Sequence, residues 1–532
     1  MTGRRIFGAA ALVAGLTMLS RIAGFARIVV FNATVGATGL GSAYQAANNV
    51  PNIIFELVAG GALASLVVPL LAGKDRETVG RTVGALLTWV VLLLTPIAVL
   101  VALLAHPLVE LLAAGQGPQV VDTGAAMLRV FAPQLPLYGV GIVLAGALQT
   151  YRRFAWPVIA PLLSSLTVIG VYIAFGALAG SEAALGGASG GHLLLLSGGT
   201  TLAVAVLSLC LVLPVSRLGL HIRPTTRLDV GAIATLKPLA IAGIVTVGTQ
   251  QLVFGLAIRL VSYGHDKGVI VVYGLAQTMF LLPWAVLAVP VATTTYPALA
   301  EHGYAGDRAR FAAALAPAVR AVVLLSCLGA AGLIVLARPI AVLLNAASSH
   351  PPAIGPLAAG IAWFAPGLLG YGLFALLSRA LYAGGNAYPA AVATAIGWAA
   401  AAAASVFLAV ALPVADRVAA VAAANSLGML VLGAALLVAV RSRAGSEALA
   451  GTWRTASISV VSAAAAVGAG LFVRAHLTTP GVAGALTQGM LCGVVVAAVF
   501  LAGAAVADRR TLWRLVGARS IGGRPIRGRR DG

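Results

Sequence analysis

FAPQLPLYG at Phe131–Gly139 and FAPGLLGYG at Phe364–Gly372 are one motif written twice, 233 residues apart. Around them Tyr151 and Pro157 return as Tyr382 and Pro389, and ALASLVVPLLA ending at Ala72 is echoed by PVATTTYPALA ending at Ala300. Self-similarity at a long fixed spacing marks a structural unit used twice. The medium of that unit follows from composition: 60% of the 532 residues are hydrophobic and 9% charged, with a mean hydropathy of +1.02. A soluble domain would carry about 25% charge. The chain is expected to be an all-α polytopic membrane protein.

Stretches of about 20 apolar residues, long enough to cross a bilayer, fall roughly at 6–31, 48–71, 83–104, 122–148, 156–179, 192–215, 237–259, 269–297, 311–336, 357–381, 388–411, 416–440, 455–474 and 486–507. That makes about 14 transmembrane helices, and the repeat unit holds six. An even number returns the chain to its starting side, so the two copies are parallel repeats about an axis along the membrane normal. The expected domains are an N-lobe at 1–220 (spans 1–6) and a C-lobe at 221–445 (spans 7–12) around a central cavity. Two extra C-terminal helices lie at 446–507, and 508–532 is a basic, disordered cytoplasmic tail. Pro51, Pro69, Pro133, Pro136, Pro283, Pro290 and Pro366 lie in or beside spans, where each removes a helix hydrogen bond and permits a kink.

The net charge of +20 invites a nucleic-acid reading, which its placement argues against. Of 34 Lys and Arg, 25 fall in the two termini and the loops after even-numbered spans, 5 on the opposite side and 4 within spans. By the positive-inside rule both termini are cytoplasmic. The tail, with Arg524, Arg527, Arg529 and Arg530, is expected near anionic lipid, and no nucleic-acid partner is expected because no binding fold surrounds it. The opening MTGRR and its apolar run exceed a signal peptide's hydrophobic region and contain Arg21, so they are read as a retained first helix. Cys210, Cys327 and Cys492 sit in apolar segments as packing residues. The seven His show no ligand spacing, no metal site is expected, and no nucleotide-binding or hydrolase motif appears in its required context.

The residues that could do work are the charges placed in hydrocarbon. An Arg at mid-bilayer costs on the order of 3 kcal/mol even on the lenient insertion scale, so such a residue normally faces a protein-lined cavity. Arg21 and Arg27 lie in span 1, about 240° apart round the helix and some 9 Å along it. Either a bend at Gly24 lets both reach one cavity, or Arg27 serves near an interface. Span 2 brings Asn48, Asn49 and Asn52 around Pro51, then Glu56, the acidic residue placed deepest in a span. A carboxylate there is protonated or paired. Three readings stand: counter-ion to Arg21 or Arg27, proton- or cation-coupling site, or a group bonded locally in a polar pocket. Thr249, Gln250 and Gln251 in span 7 and Gln277 and Thr278 in span 8 form a polar stripe, either interhelical glue or cavity ligands. Arg129 and Arg320 are read as snorkelling near span ends.

These residues resemble the MurJ/MviN family of lipid II flippases in the MOP exporter superfamily. SRIAGFAR (Ser20–Arg27) is similar to the family's SRxxGFxR opening. Pro51-Asn52-Ile53-Ile54, Gly61-Ala62 and Val68-Pro69 resemble its PNLLR…EGA…FVP stretch. LQTYRRFAWPVIAPLL (Leu148–Leu163) and SRALYAGGNAYP (Ser378–Pro389) resemble two further blocks. The resemblance implies a flippase carrying an undecaprenyl-pyrophosphate-linked peptidoglycan precursor from the inner to the outer leaflet of the bacterial cytoplasmic membrane by alternating access. It implies Arg21 and Arg27 as the pyrophosphate ligands, and a coupling cation or the membrane potential in place of a cofactor. Cell-wall synthesis and division proteins are the implied partners. The chain departs from the family at Ser42 (Asp there), Phe55 (Arg), Gly60 (Glu) and Thr278 (Arg), as a diverged member would. Two other classes fit the same residues: another MOP-type exporter, for lipid-linked polysaccharide or drugs, and a non-transporting membrane partner of cell-wall assembly.

Overall fold

A computed structural model of the protein describes residues 3–58, 67, 70–71, 74–151, 153–179, 189–227, 230–263, 268–477 and 481–507, with 3–14, 230–242, 245 and 506–507 as backbone alone. Among them every regular element is helical. The order is α1 (Gly3–Thr34), α2 (Gly39–Glu56), α3 (Arg76–Leu103), α4 (Ala105–Leu112), α5 (Pro118–Phe131), α6 (Gln134–Thr150), α7 (Ala155–Ala179), α8 (Gly190–Leu209), α9 (Val212–Ser216), α10 (Val230–Ser262) and α11 (Val269–Pro283). A π-turn at Trp284–Ala288 leads into α12 (Val289–Tyr304). Then come α13 (Arg308–Ala346), α14 (Ile354–Phe364), α15 (Gly367–Ala383), α16 (Ala387–Ala411), α17 (Arg417–Ala444), α18 (Thr452–His476) and α19 (Gly481–Ala507).

Ten of these helical stretches are long and apolar enough to cross a membrane, and two bent pairs bring the number to twelve. The two further spans expected from sequence, 48–71 and 237–259, run through residues described only in part. α2 starts at Gly39, nine residues before the expected 48, because Thr38 caps it: its hydroxyl accepts from Gly41 N at 2.9 Å. A cap of this kind starts a helix where composition reads as loop. Outside the membrane, Asp75 caps α3 in the same way, and the Thr78 backbone N–H holds its carboxyl below the usual range. The tail at 508–532, Gly60, Gly61-Ala62 and Val68-Pro69 lie outside the described residues.

By contact the chain forms two compact units with interleaved segments: 1–276 with 341–360 and 401–424, and 277–340 with 361–400 and 425–532. In the first, α1 packs along α7, α7 on α8, α2 on α5 and α6, and α3 on α6. Val67, Leu70 and Leu71 lock into this core against Val83, Leu86, Val90, Val143 and Ala147. In the second unit, α12 packs on α15 and α18 on α19. Gly370 lies so close to α17 that a Cβ there would sit 1.8 Å from Met429 O. Arg320 lies within α13, and its exposed Nη1 reaches out to donate to Ala450 O, in the connection before α18, at 2.7 Å. Leu92, Leu93, Leu100 and Leu103 stay exposed along α3, as lipid-facing positions do.

Both copies of the repeated motif break their helix. α5 and α6 meet at 41° across Ala132-Pro133, and α14 and α15 at 45° across Ala365-Pro366. A break strands carbonyls, and hydrocarbon supplies no water to satisfy them. Each copy solves this with a hydroxyl from another helix. Thr201 Oγ1 donates to Val130 O at 2.9 Å, and Ser426 Oγ to Trp363 O at 2.6 Å.

Candidate functional site

α2 sorts its residues by face. Tyr44, Ala47, Val50 and Pro51 are buried, while Asn48, Asn49 and Asn52 are half-buried and Glu56 is exposed. Asn49, Asn52 and Glu56 recur at i, i+3 and i+7, the spacing of one helical face. That face meets α6: Tyr138 Oη donates to Asn52 Oδ1 at 3.2 Å, and the Phe55 ring lies 4.3 Å from the Tyr138 ring, tilted by 35°. The Glu56 carboxylate acts electrostatically on the same phenol, and so does the guanidinium of half-buried Arg27 on α1. Asn52 and Phe55 thus touch Tyr138 directly, and the charges of Arg27 and Glu56 lie within electrostatic range of the same phenol. Among the described residues neither Arg27 nor Glu56 is in an ion pair.

Behind this wall is a buried hydroxyl chain that Arg27 also acts on. Tyr44 Oη lies 2.8 Å from Tyr172 Oη and 2.8 Å from Thr200 Oγ1. Thr200 has one proton, and Leu196 O takes it at 2.7 Å. Tyr44 must then donate to Thr200, which leaves Tyr172 to donate to Tyr44. Phe31 and Phe131 pack on the Tyr44 ring, so α1, α2, α5, α7 and α8 are tied together through it.

Arg21 is exposed. α1 runs as one helix from Gly3 to Thr34, with no break at Gly24, where a Cβ would meet nothing within 4 Å. Gln250 is half-buried on α10, two residues after Gly248, which faces Leu57 beyond the end of α2. Gln277 and Thr278 are half-buried on α11, at the start of the second unit. Of the departures from the family pattern, Ser42 is fully buried and accepts from Gly268 N at 2.9 Å. Phe55 stacks on Tyr138 instead of supplying a charge. No cluster of His, Cys, Asp and Glu able to hold a metal occurs among the described residues.

Tyr138 was not among the expected site residues, although the repeated Tyr-Gly at 138–139 and 371–372 singled it out. The Tyr44, Tyr172 and Thr200 chain left no signal, because its members come from three distant stretches, one of them read as loop. A guanidinium beside a carboxamide, a phenol and a carboxylate suits an anion that offers several oxygens, since Arg holds phosphate oxygens in bidentate fashion.

The model of the lipid II flippase MurJ family matches residues 31–491. The chain belongs to this family. It is 24% identical over 388 residues to the lipid II flippase MurJ of Burkholderia cenocepacia, 71% of this chain and 73% of that one. A shorter stretch, 170 residues, is 31% identical to a probable lipid II flippase MurJ of Synechocystis sp., covering 32% of either chain. In structure it is similar to a lipid II flippase MurJ in an inward closed conformation, with a TM-score of 0.75 at 19% identity over 94% of this chain and all of that one. An inward-facing MATE-family multidrug transporter of the MOP superfamily follows at 0.67 and 13% identity, over 82% of this chain and 98% of that one. The MurJ fold is thus shared with drug exporters, and fold alone does not choose a substrate.

Proposed function

We propose that this multi-pass membrane protein of the MurJ family is a flippase that moves a lipid-linked peptidoglycan precursor of lipid II type from the inner to the outer leaflet of the bacterial cytoplasmic membrane. The observation that carries the reading is a membrane-helix arginine, Arg27, within electrostatic range of the Tyr138 phenol that donates to Asn52, in a chain of the MurJ family. A drug-cation site would need net negative charge and aromatic faces, whereas here Arg27 and Glu56, both in electrostatic range of Tyr138, offset one another and leave no net negative charge. In this reading Arg27 holds the pyrophosphate, Asn48, Asn49 and Asn52 offer hydrogen bonds to it or to the sugar, and Glu56 serves as counter-ion or coupling group. Arg21 joins when α1 turns or bends during the cycle.

The reading keeps two lobes at 1–220 and 221–445, as the repeat supports, with both termini cytoplasmic and 446–507 as an appended helix pair. It keeps Gln250, Gln277 and Thr278 as cavity candidates. Energy comes from a coupling cation or the membrane potential, with no resident cofactor, and cell-wall synthesis and division proteins are the partners. The test is rescue of cells depleted of their lipid II flippase. Rescue by this chain, lost on Arg27→Ala at matched membrane levels, supports the reading. An inserted chain that never rescues overturns it and favours another exported lipid.

A further inference from the structure

A second basic site lies within the second unit, apart from the residues above. A cavity of about 170 Å³ opens where the end of α12, the start of α13, the turn between α15 and α16 and the end of α17 converge. Its lining includes His302, Asp307, Arg308, Phe311, Asn386 and Arg443. The floor depends on Gly303, which approaches the Ala383–Gly384 turn so closely that a Cβ would lie 2.4 Å from Ala383 O.

The charges do not cancel. Asp307 is occupied: one oxygen accepts from Arg310 N at 3.0 Å and the other pairs with the Arg310 guanidinium at 3.4 Å. Arg308 and Arg443 have no carboxylate partner among the described residues. Two uncompensated guanidiniums on the rim of one small cavity attract an anion and can share its oxygens. The volume is well below the roughly 300–1,000 Å³ of sites that engulf a drug-sized ligand, so it fits one compact anionic group.

Depth decides the source of that group. Tyr304, Tyr382 and Tyr388 flank the lining residues and are 97%, 46% and 78% exposed. Exposed tyrosines at the ends of membrane helices mark headgroup level. Arg308 and Arg443 also lie on the side where 25 of the 34 basic residues fall, the side facing anionic cytoplasmic lipid. We propose that this cavity holds the phosphate of an anionic phospholipid of the cytoplasmic leaflet, gripped by Arg308 and Arg443. The site is independent of the flippase reading and stands or falls separately.

The full-length protein in neutral detergent is titrated with short-chain phosphatidylglycerol, short-chain phosphatidylcholine and inorganic phosphate. Phosphatidylglycerol should bind saturably. Arg308→Gln and Arg443→Gln should each weaken it about tenfold, the size of one charge-assisted hydrogen bond lost. Arg441→Gln, a neighbouring charge outside the lining, should leave it within about twofold by the same scale. Phosphatidylcholine should bind far more weakly, because its choline meets two guanidiniums. A paired Arg308→Lys, Arg443→Lys variant keeps the charge but loses the fork, and should bind between wild type and the Gln variants. It serves as the control should the Gln variants fold poorly. Unchanged phosphatidylglycerol binding in the double Gln variant overturns the site. Inorganic phosphate bound as tightly through the same arginines overturns the lipid assignment.

Discussion

Tyr138 and Tyr371 hold the same place in the two copies of the motif, six residues past a 41° and a 45° break, yet their surroundings are chemically opposite. Tyr138 sits among Asn52, Glu56 and Arg27, with one ring, Phe55, against its face. Tyr371 sits in an aromatic stack, with Trp284 at 4.8 Å, Phe374 at 5.7 Å and Phe280 at 5.8 Å, and Trp284 Nε1 donates to Tyr371 O at 3.1 Å. The backbone device was kept in both copies and the side-chain chemistry was not. Polar and charged groups lie near the tyrosine of one copy, while rings pack around that of the other.

If that division is correct, the largest effect belongs to Arg27. Arg27→Ala should lower lipid flipping by about 100-fold, since charge-assisted hydrogen bonds are worth roughly 1.5–3 kcal/mol and each 1.4 kcal/mol is tenfold. Arg27→Lys should recover part of it. Flipping is measured in proteoliposomes at equal reconstituted protein. Near-wild-type rates for Arg27→Ala would leave the polar copy with no more chemistry than the aromatic one. Glu56→Gln sharpens the point: with the carboxylate gone Arg27 is left less compensated, so the single change should impair flipping more than the paired Arg27→Ala, Glu56→Gln change worsens Arg27→Ala alone. Simple additivity of the two would mean that they act apart.

Next in size is a change on the aromatic side. Gly370 has no room for a methyl, with Met429 O in the way, so Gly370→Ala should cost about 1–3 kcal/mol by overpacking. It should appear as a lower Tm and poorer membrane accumulation. A fully stable Gly370→Ala protein would show that α15 and α17 do not need this approach.

How much of this was open to sequence depends on which force wrote the signal. Hydropathy is one-dimensional, so twelve of the fourteen expected spans could be located from sequence among the described residues, counting each bent pair as one. The repeat likewise exposed the twin breaks through Pro133 and Pro366. What failed were features set by neighbours distant in the chain. The start of α2 was hidden because Thr38 and Ser42 read as loop until their hydrogen bonds are known. Tyr138, within electrostatic range of both Arg27 and Glu56, carries no charge to draw the eye.

Tyr138→Phe keeps the ring against Phe55 and removes only the hydroxyl that Asn52 accepts from. Flipping should fall about three- to tenfold, the size of a neutral hydrogen bond, with Tm little changed. Tyr371→Leu should behave oppositely, since each aromatic pair contributes roughly 0.5–1.5 kcal/mol beyond its buried area. Tm falls, while flipping per inserted molecule holds. If both substitutions moved the same quantity, the two copies would not have divided their labour.

The smallest expected effects test the hydroxyls that bridge the breaks. Interhelical hydrogen bonds within membranes average about 0.6 kcal/mol and reach about 1.7, but the two copies should not sit at the same place in that range. Ser426 does two things: it donates to Trp363 O and accepts from Gly367 N at 3.0 Å. Ser426→Ala therefore strands a donor and an acceptor, and Gly367 has no side chain to replace either. Thr201 donates to Val130 O and accepts from Gln134 Nε2 at 3.0 Å. Gln134 stands where the second copy has Gly367, and after Thr201→Val its amide N–H can swing to the freed carbonyl. Ser426→Ala should thus lie near the top of the range and Thr201→Val near the average, measured as Tm shifts of the purified protein. Equal shifts, or a larger one for Thr201→Val, would show that the Gln134 amide does not substitute, and that the first break depends on its hydroxyl as much as the second does.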